Sequence, residues 1–198
     1  MRRDKKTLDT AGLFLASSRK PLERGFNQKR NNRYKVAEYI FGSGGVAPLY
    51  RRKMLEDIKI GNEYFDEDYA IFYEDLDVSW RAKNRRWKGY YTPSALAYHL
   101  RGATVKQIKP KLPFLQKYNF VSLPRELKLR LLKNRYMTII KNDSLHSFLL
   151  NLPWFLLYEI KVWCYLFLFE PILPFRIFKN LRFVRNAWQK RKKLYNHR

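Results

Sequence analysis

Three carboxylates lie within four residues, at Glu74, Asp75 and Asp77, in a chain that is otherwise strongly basic. Like charges this close repel one another, so a fold that gathers them needs cations or a ligand nearby. Leu76 and Trp80 recur at helical spacing, which predicts a helix over residues 72–85. Acids in a first helical turn are also common for stability alone, because they complement the helix dipole. At this point the sequence leaves both interpretations open.

The composition is that of a folded chain with a polyanionic partner. The 198 residues carry a formal net charge of +24, yet 46% are hydrophobic and 17% aromatic, which argues against disorder. Such a charge predicts nucleic acid, an anionic membrane surface or phosphorylated substrates as partners, without choosing among them. Cys164 is the single cysteine, so no disulfide framework forms within one chain and a reducing compartment is favoured.

The charges are segregated along the chain. Nine of the 17 acids lie between Glu56 and Asp77, and no acid follows Pro174, where the chain carries many Lys and Arg residues. This division predicts an acidic site near the middle of the chain and a basic region at its end.

Local patterns predict a mixture of short strands and helices. We expect strands within residues 10–17, 34–41 and 95–100, an exposed loop at 18–33, and a turn leading into a strand at 85–91. A short helix is predicted over Arg51 to Ile58, with Met54, Leu55 and Ile58 on one face. A longer helix is predicted over Leu123 to Ile140, with Pro124 near its first turn.

The run Gly42-Ser43-Gly44-Gly45 matches neither a dinucleotide-binding fingerprint nor a P-loop. Glycines here permit positive φ and a close approach of the backbone to a ligand. A plain turn is the alternative interpretation, because glycine is the default turn residue.

Residues 145–175 form the most apolar and aromatic stretch of the chain. Glu159, Lys161 and three prolines interrupt it, so no window reaches about 18 uninterrupted apolar residues and we assign no transmembrane helix. Whether these helices span the membrane or lie on it stays open. Aromatic-rich helices followed by a Lys/Arg tail suit the interface of an anionic bilayer. The alternative is a helix pair packed on the protein's own core.

The order of motifs from Leu8 to Thr104 resembles that of family 2 glycosyltransferases of the GT-A fold, especially rhamnosyltransferase-like members acting on cell-surface polysaccharides. Residues 65–68 and 73–81 resemble the acidic motif of that family. The other matching pieces occur in the expected order, at residues 8–12, 42–52, 87–89, 93, 97–99 and 102–104. Less specifically, residues 133–136 and 141–143 resemble the helical tail of the same proteins.

The resemblance implies an α/β fold of a particular kind. Residues 1–105 would form the acceptor-side part of a GT-A-type domain, and residues 106–198 a helical, aromatic-rich and basic membrane-associated region. The implied function is inverting transfer of a sugar from a nucleotide-sugar donor to a cell-surface polysaccharide or lipid-linked glycan acceptor. The implied location is peripheral, at the cytoplasmic side of the membrane.

The resemblance also implies roles for individual residues. Asp75 matches the general base that deprotonates the acceptor hydroxyl, a step that suits a carboxylate within hydrogen-bond reach. Glu74 would orient Asp75 or tune its basicity. The resemblance assigns the remaining site residues as follows: Gly44 and Gly45 to a loop beside the acceptor, Asp77, Trp80 and Arg81 to the substrate-binding region, and His99 to a divalent cation, Mg or Mn.

In that family a nucleotide-binding half precedes the matched region and supplies an Asp-x-Asp with most of the metal ligands. No such motif stands in a comparable place here. We therefore expect this chain to be an incomplete catalytic unit, inactive alone, with most cation ligands in the missing half. A separate chain supplying that half is one expected partner.

A different function class stays open from the residues alone: a non-catalytic basic protein that binds nucleic acid or an anionic membrane surface. The run Arg85-Arg86-Trp87-Lys88 with Tyr90 and Tyr91 allows backbone contacts plus base stacking. However, the sequence has no zinc-finger spacing, RNP-type segment or clear helix-turn-helix, and its acidic cluster would oppose a polyanion. Nucleic acid is therefore the less favoured partner.

Overall fold

The computed structural model describes residues 1, 6–100 and 120–195, which form a mixed α/β structure that is about 52% helical. The helices are α1 (Arg52–Ile58), α2 (Glu74–Asn84), α3 (Arg125–Asn142), α4 (Leu145–Leu150), α5 (Leu152–Phe169), α6 (Ile172–Lys179) and α7 (Arg182–Tyr195). The strands are β1 (Leu13–Leu15), β2 (Pro21–Glu23), β3 (Glu38–Ile40) and β4 (Gly89–Tyr91). Two 3₁₀ turns span Asn32–Lys35 and Glu67–Tyr69.

The strands form two small antiparallel sheets. Strand β1 pairs with β2, with Leu13 opposite Glu23, and β3 pairs with β4, with Glu38 opposite Tyr91. An isolated bridge between Leu13 and Gly42 links the first sheet to the glycine run. The coarse α/β prediction is confirmed, and the GT-A assignment stays a prediction.

Helices α1 and α2 confirm the predictions made from periodicity. Met54 and Ile58 of α1 are buried against Val78 and Ala82 of α2, and Trp87 packs on the same cluster. The predicted turn into a strand is also confirmed, because β4 follows α2 directly. This cluster fixes α2 against α1.

The prediction that residues 18–33 form an exposed loop is wrong. This segment contains β2 and two buried arginines. The guanidinium of Arg19 lies 2.6 Å from the carboxylate of Asp143, and Arg24 forms an ion pair with Glu38. An arginine can be buried when its fixed donors meet carboxylates and carbonyls, and the local pattern does not reveal such distant partners.

Two predicted strands are also corrected. Within 34–41, Tyr34 and Lys35 belong to a 3₁₀ turn that buries Tyr34, and only Glu38–Ile40 form strand β3. Residues 95–100 form no strand, because their backbone contacts the N-terminus instead of a neighbouring strand. His99 N–H donates to the Met1 carbonyl at 2.9 Å, and the Met1 ammonium donates to the Ala97 carbonyl at 2.6 Å.

Helix α3 joins the N-terminal elements to the C-terminal helices, because it packs against α2, α6 and α7. It confirms the predicted helix, although Pro124 is its N-cap and it extends to Asn142. Its buried side chains include four polar ones that face the N-terminal elements or the helix's own backbone: Asn134, Thr138, Lys141 and Asn142. The proposed boundary at residues 105 and 106 lies outside the described residues, as does the matched piece at 102–104.

The C-terminal helices share a core with α3. Its buried members are Tyr69, Leu132, Met137, Leu166, Leu173, Ile177, Phe183 and Ala187. One helix of the described residues, α5, is long and apolar enough to cross a membrane by length and composition. Only 11% of it is buried. Glu159 and Lys161 interrupt the apolar run, but α5 as a whole is still predominantly apolar.

Candidate active site

The turn that precedes α2 has an unusual backbone. Ala70, Phe72 and Tyr73 have positive φ values of 57°, 68° and 73°, a conformation that costs energy for residues other than glycine. The side-chain amide of Asn134 holds this turn by donating to the carbonyls of Tyr69, Ile71 and Phe72 at 3.0, 2.8 and 2.8 Å. Strained backbone of this kind collects where a fold must present particular side chains, here the first residues of α2.

The acids of the motif divide into two groups, and the first is neutralised inside the fold. The buried ammonium of Lys141 contacts Asp66 and lies 2.9 Å from Asp77. Lys190 lies 2.6 Å from Asp66, and Arg81 lies 2.9 Å from Asp77. Burial alone would raise the pKa of Asp66, but the charges and hydrogen bonds of the two lysines hold that pKa below its ordinary value. The protein therefore supplies the cations that these two crowded carboxylates require.

Glu74 and Asp75 form the second group and pair with no cation among the described residues. Asp75 accepts hydrogen bonds from the amides of Gly45 and Leu76 at 2.8 and 2.7 Å. The Oε2 atom of Glu74 is buried and has no hydrogen-bond partner within the described part of the chain. Burial raises the pKa of both carboxyl groups, and the charge of Asp75 also raises that of Glu74. Groups of this kind favour proton exchange or a hydroxyl ligand.

The glycine run contacts α2 closely. A Cβ on Gly42 would lie 2.2 Å from the side chain of Ser79, so only glycine fits there. A Cβ on Gly44 or Gly45 would lie 3.8 Å from Oδ2 of Asp75, which is ordinary contact. None of the three has positive φ. Glycine is therefore required in this run at Gly42, because its backbone lies so close to Ser79. Positive φ does not explain any of the three glycines.

A cleft of about 800 Å³ opens beside the glycine run. Its walls come from the N-terminal segment around Asp9, the glycine run up to Tyr50, one face of α2 at Ser79, and residues 86–99. Glu74 and Asp75 do not line this cleft themselves. They contact the Gly44–Gly45 backbone at its edge, and Gly44 is part of the lining.

Tyr50 is a candidate residue that the motif analysis did not single out. It lines the cleft, and its hydroxyl is buried without a hydrogen-bond partner among the described residues. Burial, followed by the negative charges of Asp75 and Glu74, raises the pKa of Tyr50 to about 12. Its hydroxyl is therefore a protonated donor close to both carboxylates. The sequence signal was its place at the end of the matched glycine segment.

His99 lies at another part of the same cleft. Its Nδ1 is 2.9 Å from Oδ2 of the buried Asp9. Carboxylates orient metal-binding histidines in this way, leaving the other ring nitrogen for the ligand. His99 therefore fits as one ligand of a divalent cation. The described residues contain no group of three or more His, Cys, Asp or Glu side chains placed to hold a metal.

The structure places Asp77, Trp80 and Arg81 in the interior of the fold. Arg81 is 1% exposed, and its guanidinium contacts Asp77 and the carbonyls of Ile58 and Tyr64. Trp80 is 6% exposed and packs edge-on against Phe41. These internal contacts fix α2, and the substrate-binding role of the three residues stays a prediction.

Comparison of the chain with protein-family models, with curated proteins and with solved structures found no match.

Proposed function

We propose that this chain carries the acceptor-side catalytic edge of an inverting glycosyltransferase, which moves a sugar from a nucleotide-sugar donor to a cell-surface polysaccharide or lipid-linked glycan. The observation that carries the proposal is the environment of Asp75. This residue is a partly buried carboxylate with a raised pKa and no cationic partner in the described chain, and it lies beside a cleft and a glycine loop. The neighbouring acids Asp66 and Asp77 are neutralised internally.

Asp75 acts as the general base in this proposal. Each of its oxygens accepts one backbone amide and retains a lone pair for a further hydrogen bond. A carboxylate oxygen takes the proton of the acceptor hydroxyl as that oxygen attacks the anomeric carbon. The bond from that carbon to the nucleotide diphosphate breaks on the opposite face, which inverts the anomeric configuration. The proton then leaves Asp75 for solvent.

Glu74 and Tyr50 would hold the acceptor. The unpaired Oε2 of Glu74 accepts a hydrogen bond from a hydroxyl, and the Tyr50 hydroxyl donates to one. Buried polar atoms without partners cost free energy, and a polyhydroxylated ligand satisfies both kinds of atom at once. A sugar is therefore the ligand class that this pair fits.

The donor half is expected from a preceding segment or a separate chain, and a Mg or Mn ion is part of the proposal. Here His99, oriented by Asp9, would be its ligand. Such an ion stabilises negative charge on the leaving diphosphate.

The test replaces Asp75 by Asn in the cells that make the protein, where any partner chain is present. Mass spectrometry of surface and lipid-linked glycans should then show the loss of one sugar. Glu67→Gln is the matched control, because Glu67 is an exposed acid of the same motif. Unchanged glycans in the Asp75→Asn cells would refute the proposal.

Nucleic-acid binding stays an alternative prediction with less support. Trp87 donates to Asp57 at 2.7 Å, and Arg85 donates to the Leu194 carbonyl at 2.7 Å. Two residues of the basic aromatic run are thus occupied within the fold.

A further inference from the structure

Helix α5 has two different faces. One face contacts α3 and buries Glu159 and Leu166. The opposite face carries exposed apolar side chains spaced three and four residues apart, and the following helix α6 has two exposed phenylalanines. We call this set the apolar face, and it comprises Leu157, Ile160, Cys164, Leu168, Phe175 and Phe178. Its exposed fractions reach 74% at Leu168 and 67% at Phe175, so no part of the described chain covers it.

Polar bonds fix α5 alongside α3. Near its middle, Glu159 accepts from Arg135 at 2.6 Å, and Trp163 donates to the Tyr136 hydroxyl at 3.0 Å. At its C-terminal end, Glu170 accepts from Lys128 at 2.6 Å and from Arg125 at 2.7 Å. Helices α3 and α5 therefore lie antiparallel and are in contact over more than half the length of α5. Charged side chains take part both near the middle of α5 and at its C-terminal end.

Helix α3 is itself fixed in the polar body of the protein. Arg135 donates to the carbonyls of Ser18 and Arg19 at 2.8 Å, and Lys141 pairs with Asp66 and Asp77. If α5 crossed a bilayer, it would either draw this charged helix into hydrocarbon or leave Glu159, near the middle of α5, there without its partner. Both outcomes are costly, because a lipid core cannot solvate unpaired charges. A crossing orientation is therefore incompatible with the bonds of α5.

The charges beside the apolar face indicate what covers it. Lys161 on α5 and Lys179 at the end of α6 are exposed, as are Arg182, Arg185, Lys192 and Lys193 of α7. No acid follows Glu170 in the sequence. Leu181, just before α7, and Val184 and Trp188 of α7 form an exposed apolar strip close to Arg185 and Lys192. Apolar side chains bordered by cations complement the headgroup region of an anionic bilayer.

We infer that α5 and α6 lie in the plane of an anionic membrane interface, with the apolar face inserted among the lipids and α5 not crossing the bilayer. The sequence alone left spanning and lying flat unresolved. This inference does not depend on glycosyl transfer, because it uses none of the cleft residues.

The first experiment measures binding of the full chain to vesicles. Sedimentation with phosphatidylcholine vesicles that contain phosphatidylglycerol should be strong, and binding to pure phosphatidylcholine weaker. The pair Leu168→Glu with Phe175→Glu should weaken binding at least about tenfold, because two charges enter the inserted surface. The matched control is Leu22→Glu with Val36→Glu, which changes exposed apolar residues elsewhere and should bind normally. Equal binding by both pairs would overturn the inference, provided circular dichroism shows that each is folded.

The second experiment measures insertion depth, using the single exposed cysteine as the labelling position. A fluorophore is placed at Cys164, or at Leu157→Cys or Leu168→Cys in a Cys164→Ser background, and is quenched by lipids spin-labelled at different depths. A helix lying in the interface gives the same shallow depth at all three positions. A crossing helix would separate positions 157 and 168 by about 16 Å, at 1.5 Å rise per residue. A graded depth, or no quenching at any position, would overturn the inference.

Discussion

The backbone amide of Gly45 donates a 2.8 Å hydrogen bond to Oδ2 of Asp75, across 30 residues of sequence. This bond joins the glycine run to the start of α2 and fixes the carboxylate at the edge of the cleft. It also lowers the pKa of Asp75, yet burial has the larger effect and the pKa remains above its ordinary value of 3.8. A base held in this way has a defined position, and it binds the proton more tightly than an ordinary aspartate does.

The first prediction concerns pH. Asp75 acts as a base only when deprotonated, so the transfer rate should fall as the pH drops through its raised pKa. We expect the acidic limb of the rate profile to have a midpoint above 3.8. The measurement follows sugar incorporation in membranes prepared from cells that make the protein. The Glu67→Gln control should show the same acidic limb in its pH–rate profile. If Asp75→Asn also leaves that limb unchanged, the limb reports the titration of a different group.

The same raised pKa has a consequence for stability. The folded state holds this proton more tightly than the unfolded state, so the contribution of Asp75 is favourable at low pH and is lost as pH rises through the folded pKa. At neutral pH, Asp75→Asn should therefore unfold at the same or a higher temperature than the unmodified protein. A large destabilisation of Asp75→Asn would show that the carboxylate is needed for folding and would weaken its assignment as a base.

The second prediction concerns the buried ion cluster. Lys141→Met leaves Asp66 and Asp77 with fewer counter-charges in the interior, and breaking a buried pair in this way typically costs about 3–5 kcal/mol. Urea unfolding followed by circular dichroism measures the loss. Lys20→Met is the matched control, because Lys20 is exposed and should change stability by less than about 0.5 kcal/mol. Adding Asp77→Asn to Lys141→Met should recover part of the loss.

The third prediction concerns Tyr50. Tyr50→Phe removes a buried hydroxyl without a partner in the described chain, so the free energy of unfolding should stay the same or rise, by up to about 1 kcal/mol. The rate of sugar transfer should fall by about tenfold, because one hydrogen bond to the acceptor is lost. Tyr39→Phe changes an exposed tyrosine and should alter neither quantity. A loss of stability without a loss of transfer would give Tyr50 a structural role.

The sequence predicted local structure well where periodicity was strong, as in α1, α2 and α3. It failed where the decisive partner lies far away in the chain. The pairs Asp66–Lys141 and Asp66–Lys190 span 75 and 124 residues, so crowded acids that look functional are partly structural. For the same reason, the burial of Arg19 and Arg81 was missed. The resemblance had already singled out Asp75, but only the structure shows that Asp77 is neutralised internally whereas Asp75 pairs with no cation among the described residues.

The last prediction concerns the strained turn before α2. Ala70 is exposed and has φ 57° and ψ −48°, so glycine at this position keeps every side-chain contact and relieves backbone strain. Ala70→Gly should therefore raise the free energy of unfolding by about 1 kcal/mol, as measured by urea unfolding. The control Ala37→Gly lies at another exposed position, where φ is not positive, and should lower it by about 0.5 kcal/mol. Asn134→Ala should lower stability in both backgrounds, because three carbonyls lose their common donor, and by less when Ala70 is glycine. If Ala70→Gly is instead destabilising, the turn is not strained, and Asn134 serves the packing of α3 rather than the placement of Glu74 and Asp75.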